Sequence, residues 1–250
     1  MPNEYRPLEA HLKTLRLPTF VDSYQRLASE CAKRNVAYPQ YLEQLAEAEV
    51  NSRTQKAIFR RIKAAKFPLT KTLDTFDFAA QPQLKKQQIL QLNQCHFIAE
   101  NGNLIFVGSP GTGKTHLATA IGHTACTLGY KVYFDTAAAL INQLVEARNE
   151  FQLSKRMKQL ARFDLIICDE LGYIPFDRNG TDLLFQLVTA RYEQGAMVVT
   201  TNLAFSQWTE IFHDAATAAA VIDRLVHHST IIQIKGDSYR LAQKVAQDDE

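Results

Sequence analysis

The most specific chemical signal in the chain is GSPGTGKTH, from Gly108 to His116, which directly follows the apolar run NLIFV. Gly108, Gly113, Lys114 and Thr115 fall on the spacing G-x-x-x-x-G-K-[ST], which binds nucleotide phosphates when it joins a strand to a helix. Glycines let backbone N–H groups turn inward around phosphate oxygens, and the helix that follows adds the positive end of its dipole. The expected nucleotide contacts are therefore Gly108, Ser109, Pro110, Gly111, Thr112, Gly113, Lys114, Thr115 and His116. Within this loop Lys114 would neutralise β- and γ-phosphate charge, and Thr115 would offer its hydroxyl to Mg²⁺.

A second anchor for the metal is expected downstream, and LIICDE provides an apolar run that ends in Asp169 and Glu170. Asp169 is assigned to Mg²⁺, directly or through water, and Glu170 to orienting and deprotonating an attacking water. Two adjacent acids favour hydrolysis over transfer to an acceptor. The run AMVVTTN ends in Thr200, Thr201 and Asn202, where a polar side chain at the end of a central strand meets ligand. Asn202 is expected to position the γ-phosphate or the water, although an asparagine closing a turn fits the same residues. In VIDRLVHHS, Arg224 suits an arginine supplied to a neighbour's phosphate. It fits a solvated helix face beside Asp223 equally well, and His227 and His228 read as surface or packing residues.

These side chains need a scaffold. Apolar runs at 103–107, 131–135, 164–168, 196–200 and 230–234 alternate with segments of helical period. That rhythm predicts an α/β fold, a five-stranded parallel sheet covered by helices on both faces. The preceding part reads as helical, with Leu8, Leu12 and Leu15 on one face and Tyr41, Leu42, Leu45 and Ala46 on another. Phe67-Pro68 breaks the last of these helices. The expected organisation is a small all-helical domain over 1–67, a connector over 68–82 pinned by Leu73, Phe76 and Phe78, and a phosphate-binding domain over 83–250.

Composition bounds the rest. A chain of 250 residues with 46% hydrophobic content can bury a sizeable core. The formal net charge of +2 does not by itself imply a polyanionic partner. Local clustering does more: from Asn51 to Thr72 the chain carries seven basic residues and no acidic one. Arg53, Lys56, Arg60 and Lys63 recur at intervals of three and four, forming with Arg61 beside them a stripe able to follow a phosphate backbone. Pairing with Glu47 or Glu49 is the alternative for that stripe. Cys31, Cys95, Cys126 and Cys168 lack metal-ligand spacing, and no run has the length of a membrane span. A reducing, cytoplasmic setting is expected.

Taken in order, these motifs resemble the AAA+ ATPases of the DnaA/DnaC/IstB branch. GSPGTGKTH resembles Walker A, LIICDE Walker B, VVTTN the sensor-one strand and DRLVHHS the arginine-finger segment. GDSYR resembles the sensor-two position, which would bring Arg240 to the γ-phosphate in cis. The resemblance makes Arg224 a finger acting in trans, which requires a homo-oligomer. It also implies no full C-terminal lid, since 26 residues (250 minus 224) follow Arg224. The N-terminal segments LRLPTFVDSYQRL, YLEQLAEAEVNSR and KTLDTFDF are similar to IstB proteins, helper ATPases of bacterial insertion sequences; Ser109 departs from the proline common there. That family implies ATP- and DNA-dependent assembly on duplex DNA and stimulation of a cognate transposase. It also places the segment between the second and third strands, with Lys155, Arg156 and Lys158, in a DNA-facing channel. Two other functions compete: a helicase-loader adaptor of the DnaC type, and a small-molecule kinase, which would need an acceptor pocket.

Overall fold

The structure, a computed structural model, describes residues 6–212, 214–236, 238 and 239. The chain divides between Arg60 and Arg61 into two compact units.

The first unit is helical: α1 (Arg6–Thr14), α2 (Pro18–Lys33) and most of α3 (Tyr38–Ala65). Pro18 opens α2, where its missing N–H leaves no bond unmade. Leu12, Tyr24 and Leu45 form a small core, with Leu17, Phe20, Val21, Leu27 and Tyr41 packed against it. The expected apolar faces are narrower than their sequence spacing: Leu8, Leu15 and Leu42 are exposed. A unit this short has too little interior to enclose every leucine of an amphipathic stripe.

The second unit holds five parallel strands, β1 (Asn103–Gly108), β2 (Val132–Thr136), β3 (Leu165–Leu171), β4 (Ala196–Thr201) and β5 (Ser229–Ile234), in the order β2-β3-β4-β1-β5. The helices are α4 (Lys86–Leu92), α5 (His96–Ala99), α6 (Lys114–Leu128), α7 (Ala137–Asn149), α8 (Leu153–Leu160), α9 (Arg178–Arg191), α10 (Trp208–Phe212) and α11 (Ala215–Val226). Alternate strand residues feed two separate cores. Ile105, Ile166, Met197 and Val199 pack with α7, α9 and α11. Leu104, Phe106, Leu165, Ile167 and Val198 pack with α6 and the segment before the sheet. Burial on both faces is why β1, β3 and β4 hold unbroken apolar runs, whereas the edge strand β5 alternates the buried Ile232 and Ile234 with the exposed Ile231 and Gln233.

The residues between α3 and the sheet belong to the second core. Lys66 takes a left-handed conformation (φ 60°) that ends α3, and Phe67 then stacks on His123 and meets Phe134 edge-on. Leu73, Phe76 and Phe78 pack on the same cluster, so the connector is pinned by the three side chains expected to do so.

Candidate functional site

The loop between β1 and α6 takes its shape from two glycines. A Cβ on Gly108 would lie 2.3 Å from the Ile234 carbonyl of β5, so only glycine lets the two strands approach there. Gly113 has φ +95°, and a Cβ on it would meet the Phe76 ring at 2.7 Å. The helix start at Gly113 also differs from those of the three helices on the other face of the sheet. α7, α9 and α11 begin on side-chain caps, with Thr136, Asp177 and Asp214 accepting from Ala139, Gly180 and Thr217. α6 has no side-chain cap. Its first-turn N–H groups, with the helix dipole, favour an anion.

Around that start the polar side chains converge. Lys114 Nζ donates to the carbonyls of Gly108 (2.7 Å) and Ser109 (2.8 Å). The buried Thr112 hydroxyl donates to the Ser109 carbonyl at 2.8 Å and braces the same turn. Thr115 Oγ1 lies 3.0 Å from both carboxylate oxygens of Asp169. Hydroxyl and carboxylate oxygens are the hard donors that suit Mg²⁺, so the residues present fit that ion.

Thr200 is the residue that sequence reasoning passed over. It is fully buried; its hydroxyl donates to Asp169 Oδ1 at 2.5 Å and accepts the backbone N–H of Glu170 at 2.9 Å. At this point β3 slips its register against β4, between Cys168 and Leu171. Glu170 sits in the slip with φ 59°, a conformation that L-residues enter at a cost of about 1–2 kcal/mol. The slip directs an exposed Glu170 side chain into the cleft while Asp169 stays 3% exposed. The polar run Thr200-Thr201-Asn202 held this signal, but the β3/β4 register decides which member touches Asp169.

The cleft measures about 580 Å³, within the range of small-ligand sites. Its lining includes Gly111, Lys114, Thr115, Glu170 and Asn202 together with connector residues. His116 ties the connector down. Its Nε2 lies 2.9 Å from the Thr72 carbonyl and 3.2 Å from Thr75 Oγ1. A carbonyl only accepts, so Nε2 carries the hydrogen. Burial above all, with the charge of Lys71, holds this imidazole below its usual pKa, against the opposing pull of the Thr72 carbonyl.

Arg224 is in the last turn of α11, its guanidinium 5.1 Å from the Phe185 ring centre and bonded to the Ala220 carbonyl. It does not line the cleft of its own chain. Arg240 lies outside the described residues. On α3, Lys56, Arg60 and Lys63 are exposed and Arg61 is half-buried. Arg53 pairs with Glu49 at 2.7 Å and bonds the Arg16 carbonyl. On α8, Lys155 and Lys158 are exposed, but Arg156 folds onto Tyr133 and Gln143, with Nη2 2.9 Å from the Tyr133 hydroxyl. Tyr192 and His227 are hydrogen-bonded to each other, at 2.9 Å.

Comparison with known proteins fits this geometry. The chain is 41% identical, over 94% of each chain, to a protein named for ATP binding in insertion sequence IS5376 of Geobacillus stearothermophilus. It is 38% identical to the corresponding IS21 protein of Pseudomonas aeruginosa, over 95% of this chain and 89% of that one. Among solved structures, a DnaC helicase loader superposes with TM-score 0.53 at 25% identity, over 68% of this chain and all of that one. AMPPCP-bound DnaA from Aquifex aeolicus superposes with TM-score 0.57 at 16% identity, over 74% of this chain and 57% of that one. The fold is that of the AAA+ P-loop ATPases of the DnaA and DnaC type. Residues 10–247 match one family along nearly the whole chain, and with these relatives the match places the protein among the IstB-like ATP-binding proteins.

Proposed function

We propose that the chain is a Mg²⁺-dependent ATPase that assembles on duplex DNA and uses its nucleotide state to prepare target DNA for a cognate transposase. The observation that carries the hydrolytic part is the chain of contacts from Thr115 through Asp169 and Thr200 to the Glu170 backbone. It fixes a metal-binding carboxylate and a neighbouring general base in one rigid unit. Mg²⁺ held by Thr115 and Asp169 would neutralise charge on the β- and γ-phosphates. Lys114 exchanges its two loop carbonyls for phosphate oxygens, the α6 N-terminus receives the phosphates, Glu170 takes the proton of the attacking water, and Asn202 orients water or γ-phosphate. Arg224, outside its own cleft, is supplied to the next subunit. That makes the working unit an oligomer.

The insertion-sequence relatives support the transposition role, and the exposed Lys56, Arg60 and Lys63 support contact with a DNA backbone through α3. Lys155 and Lys158 would add a second contact. The four cysteines are buried thiols, which suits a cytoplasmic setting. The likeness to a helicase loader favours one other reading, in which the helical unit binds a protein ring.

Steady-state ATP hydrolysis across a protein-concentration series, with and without duplex DNA, separates the two. Turnover that rises with both duplex and protein concentration is the expected result. A rate indifferent to duplex assigns the basic stripe to a protein partner. Within the same assay Lys114→Ala loses nucleotide binding, whereas Glu170→Gln keeps ATP and stops turnover.

A further inference from the structure

One cleft residue takes no part in the reading above. Gln81 lines the cleft and is 3% exposed, and both amide atoms, Oε1 and Nε2, are buried with no hydrogen-bond partner among the described residues. An unpaired buried amide forfeits as much as a good hydrogen bond contributes. Its backbone is fixed: the Gln81 N–H donates to the Phe78 carbonyl at 3.1 Å, and its own carbonyl accepts from Leu84 at 3.0 Å. The carboxamide lies against Gly236, where a Cβ would come within 2.8 Å of Oε1.

The position of Gln81 in the cleft indicates what it is for. Gly111 to Thr115 occupy the phosphate end and Glu170 the hydrolytic end, which leaves the connector wall of Pro68, Leu69, Phe76 and Ala80 for the rest of a nucleotide. These are apolar surfaces suited to the flat face of a heterocycle. Other polar groups of that wall are committed or mismatched. Asp77 Oδ1 accepts from the Ala79 and Ala80 N–H groups at 2.9 and 3.3 Å. Thr75 bonds Thr72 and His116. Lys71 has donors only. Among the described side chains of that wall, Gln81 offers an acceptor and a donor side by side, the pattern that reads an exocyclic amine beside a ring nitrogen.

We propose that Gln81 is the base-reading residue of the nucleotide site, its Oε1 accepting from the 6-amino group of adenine and its Nε2 donating to N1. The inference rests on the nucleotide-binding reading above. A carboxamide turned over also matches a 6-oxo base, so inosine triphosphate does not probe the contact. Purine riboside 5′-triphosphate, which lacks only the amine, does.

The test is calorimetric binding of ATP and of purine riboside 5′-triphosphate to the full chain and to Gln81→Leu. The full chain is expected to prefer ATP about tenfold, the worth of one well-made hydrogen bond. In Gln81→Leu the ratio should fall to within about twofold, through loss of ATP affinity. Replacing an unpaired buried amide with an apolar group should leave the ligand-free melting temperature unchanged or raise it; if Gln81→Leu does not fold, Gln81→Met carries the same expectation. A variant that keeps the full chain's ratio overturns the assignment, as does a full chain that does not distinguish the two nucleotides. A full chain that binds neither overturns the nucleotide-binding reading, and this inference with it.

Discussion

The hydroxyl of Thr200 accepts the backbone N–H of Glu170 at 2.9 Å, so a side chain of β4 holds the backbone of β3 where that strand leaves its register. The same oxygen gives its hydrogen to Asp169. Thr200→Val keeps the shape and removes both contacts. We expect near-normal ATP affinity and a kcat lower by about 10- to 100-fold, because Glu170 loses its position rather than its charge. The Glu170 N–H left unpaired should also destabilise the fold by about 1–3 kcal/mol. Single-turnover hydrolysis beside equilibrium nucleotide binding separates these effects. Equal losses in both would refute the positioning role.

Gly113→Ala meets two obstacles together, a left-handed backbone and the Phe76 ring. Loss of stability on denaturant unfolding should be about 1–2 kcal/mol or more, accompanied by loss of ATP binding. Adding Phe76→Ala clears the steric conflict but not the backbone strain, so the double variant should recover only part of the stability lost at Gly113.

Arg224→Ala should bind ATP as before and hydrolyse it more slowly by on the order of 10³-fold. Mixing it with Glu170→Gln subunits should restore part of the rate, since each supplies what the other lacks across an interface. No recovery in mixed assemblies rules out action in trans.

The basic residues of α3 divide by their neighbours. Replacing the exposed Lys56, Arg60 and Lys63 with alanine should flatten the dependence of log affinity on log salt by about three, at about 0.9 per phosphate contact. Arg53→Ala should instead weaken the helical unit, because it strips the cation from Glu49, whose side chain is 4% exposed and keeps the Thr19 N–H as a donor. Duplex-binding titrations at several salt concentrations test the first expectation and chemical denaturation the second.

Burial holds both His116 and His123 below their usual pKa of 6.5. The unfolded chain therefore takes up protons near pH 6.5 that the folded chain refuses, and stability falls as pH drops through that value. Unfolding midpoints should decline between about pH 7.5 and 6, and NMR titration should place both imidazole midpoints below 6.5. Midpoints above 6.5 would reverse the sign.

Much of this molecule could be read from sequence because its sheet is buried on both faces. Leu104 to Val107 or Leu165 to Cys168 cannot be mistaken for an amphipathic helix face, and the phosphate loop announces itself by spacing. What escaped depends on neighbours distant in the chain. Thr200 matters through the offset of β3 against β4, and Gln81 through its packing beside Gly236. Arg156 reads as free charge until Tyr133 and Gln143 turn it inward. Leu8, Leu15 and Leu42 obey helical period, yet period does not say how wide a face a small core can cover.

The strand order carries a consequence for synthesis. β1, which bears the phosphate loop, is the first strand to leave the ribosome, and its two neighbours β4 and β5 are the last. The nascent chain must carry Gly108 to Thr115 unsupported until Ile234 has been made, because the β5 carbonyl that Gly108 accommodates does not yet exist. Such long-range pairing folds slowly. In a growing chain the surface against which Gly108 packs is therefore missing until β5 has been made, and the phosphate loop can take its final shape only then.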